Sequence, residues 1–332
     1  MRELYPLQIV PEFVERVWGT RDVGAIYQHS VGAQPIGEVW LTGEQCRVAN
    51  GPLKGRTIAE LCAEYGDALI GEGNKTPNRF PLLMKVLFPR EKLSVQVHPD
   101  DEAAQRVGEP CGKTECWYIL SAEPGAQIGL GLKPGTSRAE VERSIHENRM
   151  EQLLNWIDVH PGEMFYVDAG TVHAIGPGAM IVETQQNSDT TYRLYDYGRP
   201  RELHIDKGLA AMKEETHAGR VLHDGHTLIA SPCFLVQRTK LNNAATYNTR
   251  SEARAGIAHC IFALDGAARI EAAGQQAVSV ARGDMVIVPA ALGEYTVVPQ
   301  WSFEMLTASL PAGEVAHPQT VLHEAVSAAR ND

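Results

Sequence analysis

The chain has 332 residues, 44% of them hydrophobic and 21% charged, with 30 glycines and 19 prolines. That is globular composition with length for roughly two domains, and it excludes disordered, collagen-like and coiled-coil classes. The net charge of −11, with no Lys/Arg cluster, argues against nucleic acid or an anionic membrane surface as partner. Any anionic substrate has to be met by a few local cations.

In chain order, the opening MRELYPLQIVPEF has neither the long apolar run nor the small-residue cleavage site of a signal peptide. No stretch reaches the ~18 apolar residues of a membrane span. The six cysteines form no CxxC pair and read as reduced, mostly buried thiols, so a cytoplasmic protein is expected. Residues 1–50 carry no helical period. Thr57 to Glu60 has the form of a capping box, and Ile58, Leu61, Cys62 and Tyr65 follow at i, i+3, i+4, i+7, which predicts a helix within 57–70.

GEGNKTPN (71–78) reads as a loop, and FPLLMKVLF, LSVQVH and CWYIL then read as strands. A second capping box, Ser137 to Glu140, opens a predicted helical region over 137–156. From there to Ser309 the chain is short apolar runs punctuated by turn residues, the pattern of a mainly β protein. Residues 207–226 are polar and weakly patterned, which places a boundary between a unit at 1–222 and one at 223–332.

One short repeat stands out. Gly162-EMFYV-Asp168-Ala-Gly-Thr-Val-His173 can be laid over Gly283-DMVIV-Pro289-Ala-Ala-Leu-Gly-Glu294. One supersecondary unit used twice suggests two related β-barrels, with His173 in the first matched by Glu294 in the second.

Strand alternation sorts the candidate chemistry. In Lys92–His98, Leu93, Val95 and Val97 face one way while Ser94, Gln96 and His98 face the other. Glu115 shares a face with Trp117 and Ile119, a costly place for an acid unless a cation answers it. His173 follows a tight Asp-Ala-Gly-Thr turn. Gln96, His98, Glu115 and His173 together make an N/O donor set suited to a divalent metal. Singly, a strand histidine is more often a hydrogen-bonded structural residue than a ligand, and Glu115 alone reads equally as a salt-bridge partner. His223 and His226, in the polar connector, read as solvated.

Lys85 sits in an unbroken apolar run and requires an anionic partner or a cavity. Lys113, two residues before Glu115, falls on the same side as Glu115. Gly112-Lys113-Thr114 lacks the upstream glycine of a phosphate loop and precedes a strand, so that motif fails.

Four segments in order, LSVQVHPDDEAA, GKTECWYIL, AGTVHAIGPG and ETQQNSDTTYRLYDYGR, together with the earlier PEFVERVWGT, resemble the type I phosphomannose isomerases in their short bacterial form. The resemblance implies a mainly β fold of two cupin-type jelly-roll barrels, with a small helical segment in the N-terminal half. Residues 1–222 would be catalytic and 223–332 a degenerate second barrel without metal. It also implies one zinc per chain and interconversion of mannose 6-phosphate and fructose 6-phosphate through an enediol.

Carried over by position, Gln96, His98, Glu115 and His173 would hold the zinc. Arg193 and Lys113 would be catalytic, and Lys85, Ser94, Glu183 and Asp189 would line the substrate pocket. The base stays open among Lys113, Glu183 and an unliganded histidine. Ser188-Asp189-Thr190 departs from the Ser-Asp-Asn frequent in the family, and the chain is too short for the extra helical domain of longer members. Two alternatives are a different metal-dependent cupin enzyme, such as an iron oxygenase, and a non-catalytic sugar-phosphate sensor.

Overall fold

The computed structural model describes residues 3–76, 78–223, 225–250 and 256–322. It is mainly β, in antiparallel sheets of nine, eight and five strands. The eight-stranded sheet runs in the order Glu12–Thr20, Ile36–Trp40, Leu82–Leu87, Ala179–Gln186, Glu115–Ala122, Met164–Val167, Gly219–Val221, Thr320–Val321. The five-stranded sheet runs Tyr192–Tyr195, Val95–Val97, His173–Ile175, Gln127–Leu132, Leu154–Asp158. A core shared by the two contains Trp117, Ile119, Phe165 and Ile181 from the larger and Ile128, Leu130 and Ile175 from the smaller. Every one of these pairs is antiparallel, so alternate residues face that core.

The nine-stranded sheet holds the seven strands between Thr227 and Ser309, plus Leu7–Val10 and Arg47–Val48. Sheet pairing crosses the 222/223 position twice. Leu7–Val10 pairs with Met285–Val288, and Thr320–Val321 returns to pair with Gly219–Val221.

The short repeat is matched in backbone detail. Gly162 and Gly283 both adopt φ of 91°, a left-handed value that glycine takes without strain. Glu163 accepts from the His160 N–H and Asp284 from the Ala281 N–H, three residues back in each case. Gly162 donates to the Ile119 carbonyl as Gly283 donates to that of Ala263. The matched strands also place Glu115 opposite Val167 and His259 opposite Val288. His259 therefore stands where Glu115 does, and its Nδ1 lies 2.9 Å from the Tyr295 hydroxyl. Glu294, the counterpart of His173, is exposed.

The first helix forms as expected. Thr57 and Glu60 make both bonds of the capping box ahead of Ile58–Tyr65, and a further turn, Asp67–Ile70, follows. The second predicted helical region is shorter than expected. The helix is Arg138–His146, followed by a 3₁₀ turn at Met150–Leu153, and Trp156 belongs to the strand Leu154–Asp158. Asn148, at φ 56°, stops it: its N–H bonds the Ile145 carbonyl while that of Arg149 bonds Ser144, the double closure of a Schellman motif.

The connector at 207–226 also carries more order than its pattern promised. It includes most of the helix Ile205–Ala211 and the strand Gly219–Val221. His223 and His226 are exposed, as expected. All six cysteines are free thiols. Among the described residues no helix is long and apolar enough to cross a membrane.

Candidate active site

Pairing register assembles the site between the eight- and five-stranded sheets. In Val95–Val97, both valines are fully buried in the core, so Gln96 between them points to the other face. Gln96 is in register with His173 on one neighbouring strand and with Arg193 on the other. Glu115 opens a strand of the opposite sheet, and its same-face neighbours Trp117 and Ile119 are buried. His98 follows Val97 directly.

Three buried donors converge. His173 Nε2 lies 3.4 Å from Glu115 Oε1, and His98 Nε2 lies 3.6 Å from Glu115 Oε2. Each imidazole is oriented by its far nitrogen: His98 Nδ1 is 2.9 Å from the Thr190 carbonyl and His173 Nδ1 is 2.9 Å from that of Thr171. A carbonyl only accepts, so both Nδ1 atoms carry the proton and both Nε2 lone pairs face Glu115. Burial depresses the pKa of both rings, that of His173 to about 3, so they are neutral at physiological pH.

Glu115 is pushed the other way, to about 8, by burial and by Glu183, partly opposed by Lys113 and Lys85. His98 Nε2 and Glu115 Oε2 have no hydrogen-bond partner although both are buried. A bare His98 nitrogen, and a Glu115 oxygen with no hydrogen bond and Lys113 Nζ only at 3.5 Å, are costly to bury, and the set His98, Glu115, His173 has the donor chemistry of a zinc site. Gln96 Nε2 stands 3.2 Å from His173 Nε2; a half-turn of its amide brings the oxygen to the same place as a fourth donor. The backbone carbonyls behind the rings are the outer partners expected of metal-binding histidines.

Beside this cluster runs a buried chain of charge. Lys85 Nζ is 3.2 Å from Glu183 and 3.8 Å from Glu38. Glu38 also binds Arg16 and accepts from Trp40 Nε1. Burial disfavours the charge on Lys85, but Glu183 and Glu38 outweigh it and raise its pKa above the ordinary value. Burial likewise opposes ionisation of Glu38, yet Lys85 and Arg16 hold it down at about 2.

Lys113 Nζ lies 3.5 Å from Glu115 Oε2. The glycine before it has a packing reason unrelated to phosphate loops: a Cβ on Gly112 would sit 2.5 Å from the Asp100 carbonyl carbon. That close approach lets the loop at Pro99 hold the Lys113 N–H.

A cavity of about 380 Å³ is bounded by Lys85, Ser94, Gln96, Lys113, Glu115, Glu183, Asp189 and Arg193. Each of these was singled out by sequence, and His98 and His173 adjoin them through Glu115. Arg193 is half-buried; its Nη1 donates to the Glu202 carbonyl and its Nε has no partner. Arg16, Trp18, Glu38 and Arg201 also line the cavity and were missed. Arg16 and Trp18 lie within the PEFVERVWGT segment, whose resemblance carried no role for them. A larger hollow of about 690 Å³ near Cys111 and Cys233 contains none of the predicted residues.

Residues 7–119 match the family described as phosphomannose isomerase type I, catalytic domain. The chain is 36% identical over 312 residues to a Bacillus subtilis protein named mannose-6-phosphate isomerase ManA, covering 87% of this chain and 95% of that one. It is 33% identical over 316 residues to a mannose-6-phosphate isomerase of Streptococcus mutans, covering 90% and 95% respectively. Among solved structures it is similar to that of the mannose 6-phosphate isomerase from Bacillus subtilis, with TM-score 0.80 and 32% identity over 91% of this chain and 99% of the other.

Proposed function

The chain belongs to the type I phosphomannose isomerases, and from that premise we propose that it interconverts D-mannose 6-phosphate and D-fructose 6-phosphate in the cavity beside Glu115. The observation that carries this reading is one cavity bounded jointly by the Gln96/Glu115 donors and by Lys85, Lys113 and Arg193. Aldose–ketose exchange moves a proton between C2 and C1 while charge develops on the carbonyl oxygen, and an anionic sugar phosphate needs local cations in an acidic chain.

Gln96, His98, Glu115 and His173 would hold zinc, one per chain at this place. Zinc bound there supplies a Lewis acid that polarises a sugar oxygen. Arg193, permanently charged and with an unpartnered Nε, stabilises the enediolate or clamps the phosphate. Lys113 meets developing negative charge from the Glu115 side. The proton between C1 and C2 passes through a group facing the cavity, for which Glu183 and Lys113 are both placed. Lys85, ion-paired to Glu183, holds that carboxylate in position.

Residues 1–222 carry this site in our reading, and 223–332 form a second cupin-type unit that holds no pocket metal. Free thiols throughout agree with a reducing, cytoplasmic setting.

The test is to follow mannose 6-phosphate with the purified zinc-loaded protein by ³¹P NMR. Appearance of fructose 6-phosphate supports the reading. Binding of the sugar phosphate without conversion overturns it in favour of a sensor, and neither binding nor conversion means a different substrate.

A further inference from the structure

Asp168, His217 and His317 come from three separate segments and meet on the surface, away from the cavity. Asp168 follows the Met164–Val167 strand, His217 lies in the connector ahead of Gly219–Val221, and His317 lies in the arm that follows the last long strand. One donor atom from each lies within 4.8 Å of the others. The two imidazoles stack with centroids 4.2 Å apart and planes at 13°. Both rings are exposed, whereas Asp168 is only 9% exposed.

The acid is anchored. Asp168 Oδ1 accepts from the Thr171 hydroxyl at 2.9 Å and Oδ2 from the His217 N–H at 3.0 Å, which leaves each oxygen a further lone pair. The His317 ring is held from behind, its Nδ1 3.0 Å from the Tyr166 hydroxyl. Thr320 donates to the His217 carbonyl, so the arm and the connector are already tied on either side of the rings.

We propose that Asp168, His217 and His317 form a second metal site, which binds a borderline divalent ion such as Zn²⁺ and clasps the C-terminal arm to the turn that carries His173. Two imidazoles and one carboxylate suit such an ion and disfavour Mg²⁺ or Ca²⁺. Tetrahedral donors at ~2.1 Å from an ion are about 3.4 Å apart, a contraction that rotation of two exposed side chains supplies around a fixed Asp168. The turn has a direct bond to the active site, because the Gly170 N–H donates to the His98 carbonyl. The ion would therefore brace the turn that carries His173 and holds the His98 carbonyl, without entering the pocket.

The experiment uses the untagged holoprotein with its pocket metal in place, dialysed against micromolar Zn²⁺, with metal counted by mass spectrometry. A second equivalent per chain is expected, with a rise in thermal midpoint. His317→Ala and His217→Ala should each lose that equivalent and that rise while keeping the first metal and full isomerase activity. No second equivalent in the wild type, or a second equivalent that persists in both variants, would overturn the proposal. Loss of the first equivalent speaks instead to the pocket, so the two readings fail separately.

Discussion

His173 lies directly across the antiparallel pairing from Gln96, with Gln96 Nε2 3.2 Å from His173 Nε2. On its other side Gln96 is in register with Arg193. Three strands of one sheet thus bring three polar side chains together, Gln96 and Arg193 lining the cavity and His173 adjoining it, and Glu115 enters from the sheet opposite. Because side chains alternate with a period of two, a slip of one residue would turn Gln96 into the core. The buried valines on either side of it prevent that slip.

His98→Ala should lose metal and activity together. The His98 Nε2 lone pair faces Glu115 across 3.6 Å, and its removal takes away one donor while leaving Glu115 buried. Metal analysis after dialysis is the check. Full metal content in this variant removes His98 from the ligand set.

Arg193→Ala should keep metal and fold but lose about 10²–10³ in kcat/KM, the size typical of removing a charge-stabilising donor. Arg193→Lys should rescue little, because an ammonium cannot reproduce the planar fork. Steady-state kinetics decide it, and wild-type kcat/KM in either variant contradicts the assignment.

Lys85→Met should destabilise by about 3–5 kcal/mol, since it leaves Glu183 as a buried acid without its cation and leaves Glu38 only Arg16. Adding Glu183→Gln should recover part of that loss, because the two side chains are 3.2 Å apart and their effects couple. Denaturant unfolding of the two single variants and the double variant measures this. Strict additivity would mean that the ion pair has no energetic coupling.

Glu38 links stability to acid pH. Its folded pKa, about 2 against an ordinary 4.5, means that the unfolded chain binds the proton more tightly between those values. Stability from this group is fully present above pH 4.5 and drains away as pH falls through 2, by about 3 kcal/mol in total. Glu38→Gln should lack that component, so its unfolding free energy should vary less than the wild type's between pH 5 and 2. Equal slopes in denaturant titrations across that range would contradict the linkage.

Much of the site was legible because it obeys strand alternation. Leu93, Val95 and Val97 against Ser94 and Gln96 is a period-two pattern, and Glu115 on an apolar face marks itself by its cost. The first helix announced itself with a complete capping box. Other features depend on contacts distant in sequence. Glu38 and Arg16 look like ordinary strand-surface charges until Lys85 arrives from Leu82–Leu87 to meet Glu38.

The pairing of Leu7–Val10 with Met285–Val288 spans most of the chain and leaves no local trace. The helix after Ser137 ran too far in the reading because Asn148, rather than a glycine, closes its end, and the apolar residues beyond it continue into a strand. In the connector, Leu209, Ala211 and Met212 pack into the core with Val97 and Leu194. Tertiary packing orders a segment there that its polar composition did not advertise.

In the proposed function, a metal held between His98, Glu115 and His173 serves aldose–ketose isomerisation. The most direct test is a coupled assay of fructose 6-phosphate formed from mannose 6-phosphate, on protein stripped with chelator and then reloaded with zinc. Activity should vanish on stripping and return as the pocket refills with one equivalent, before any weaker surface uptake. Turnover that survives complete removal of metal would contradict it.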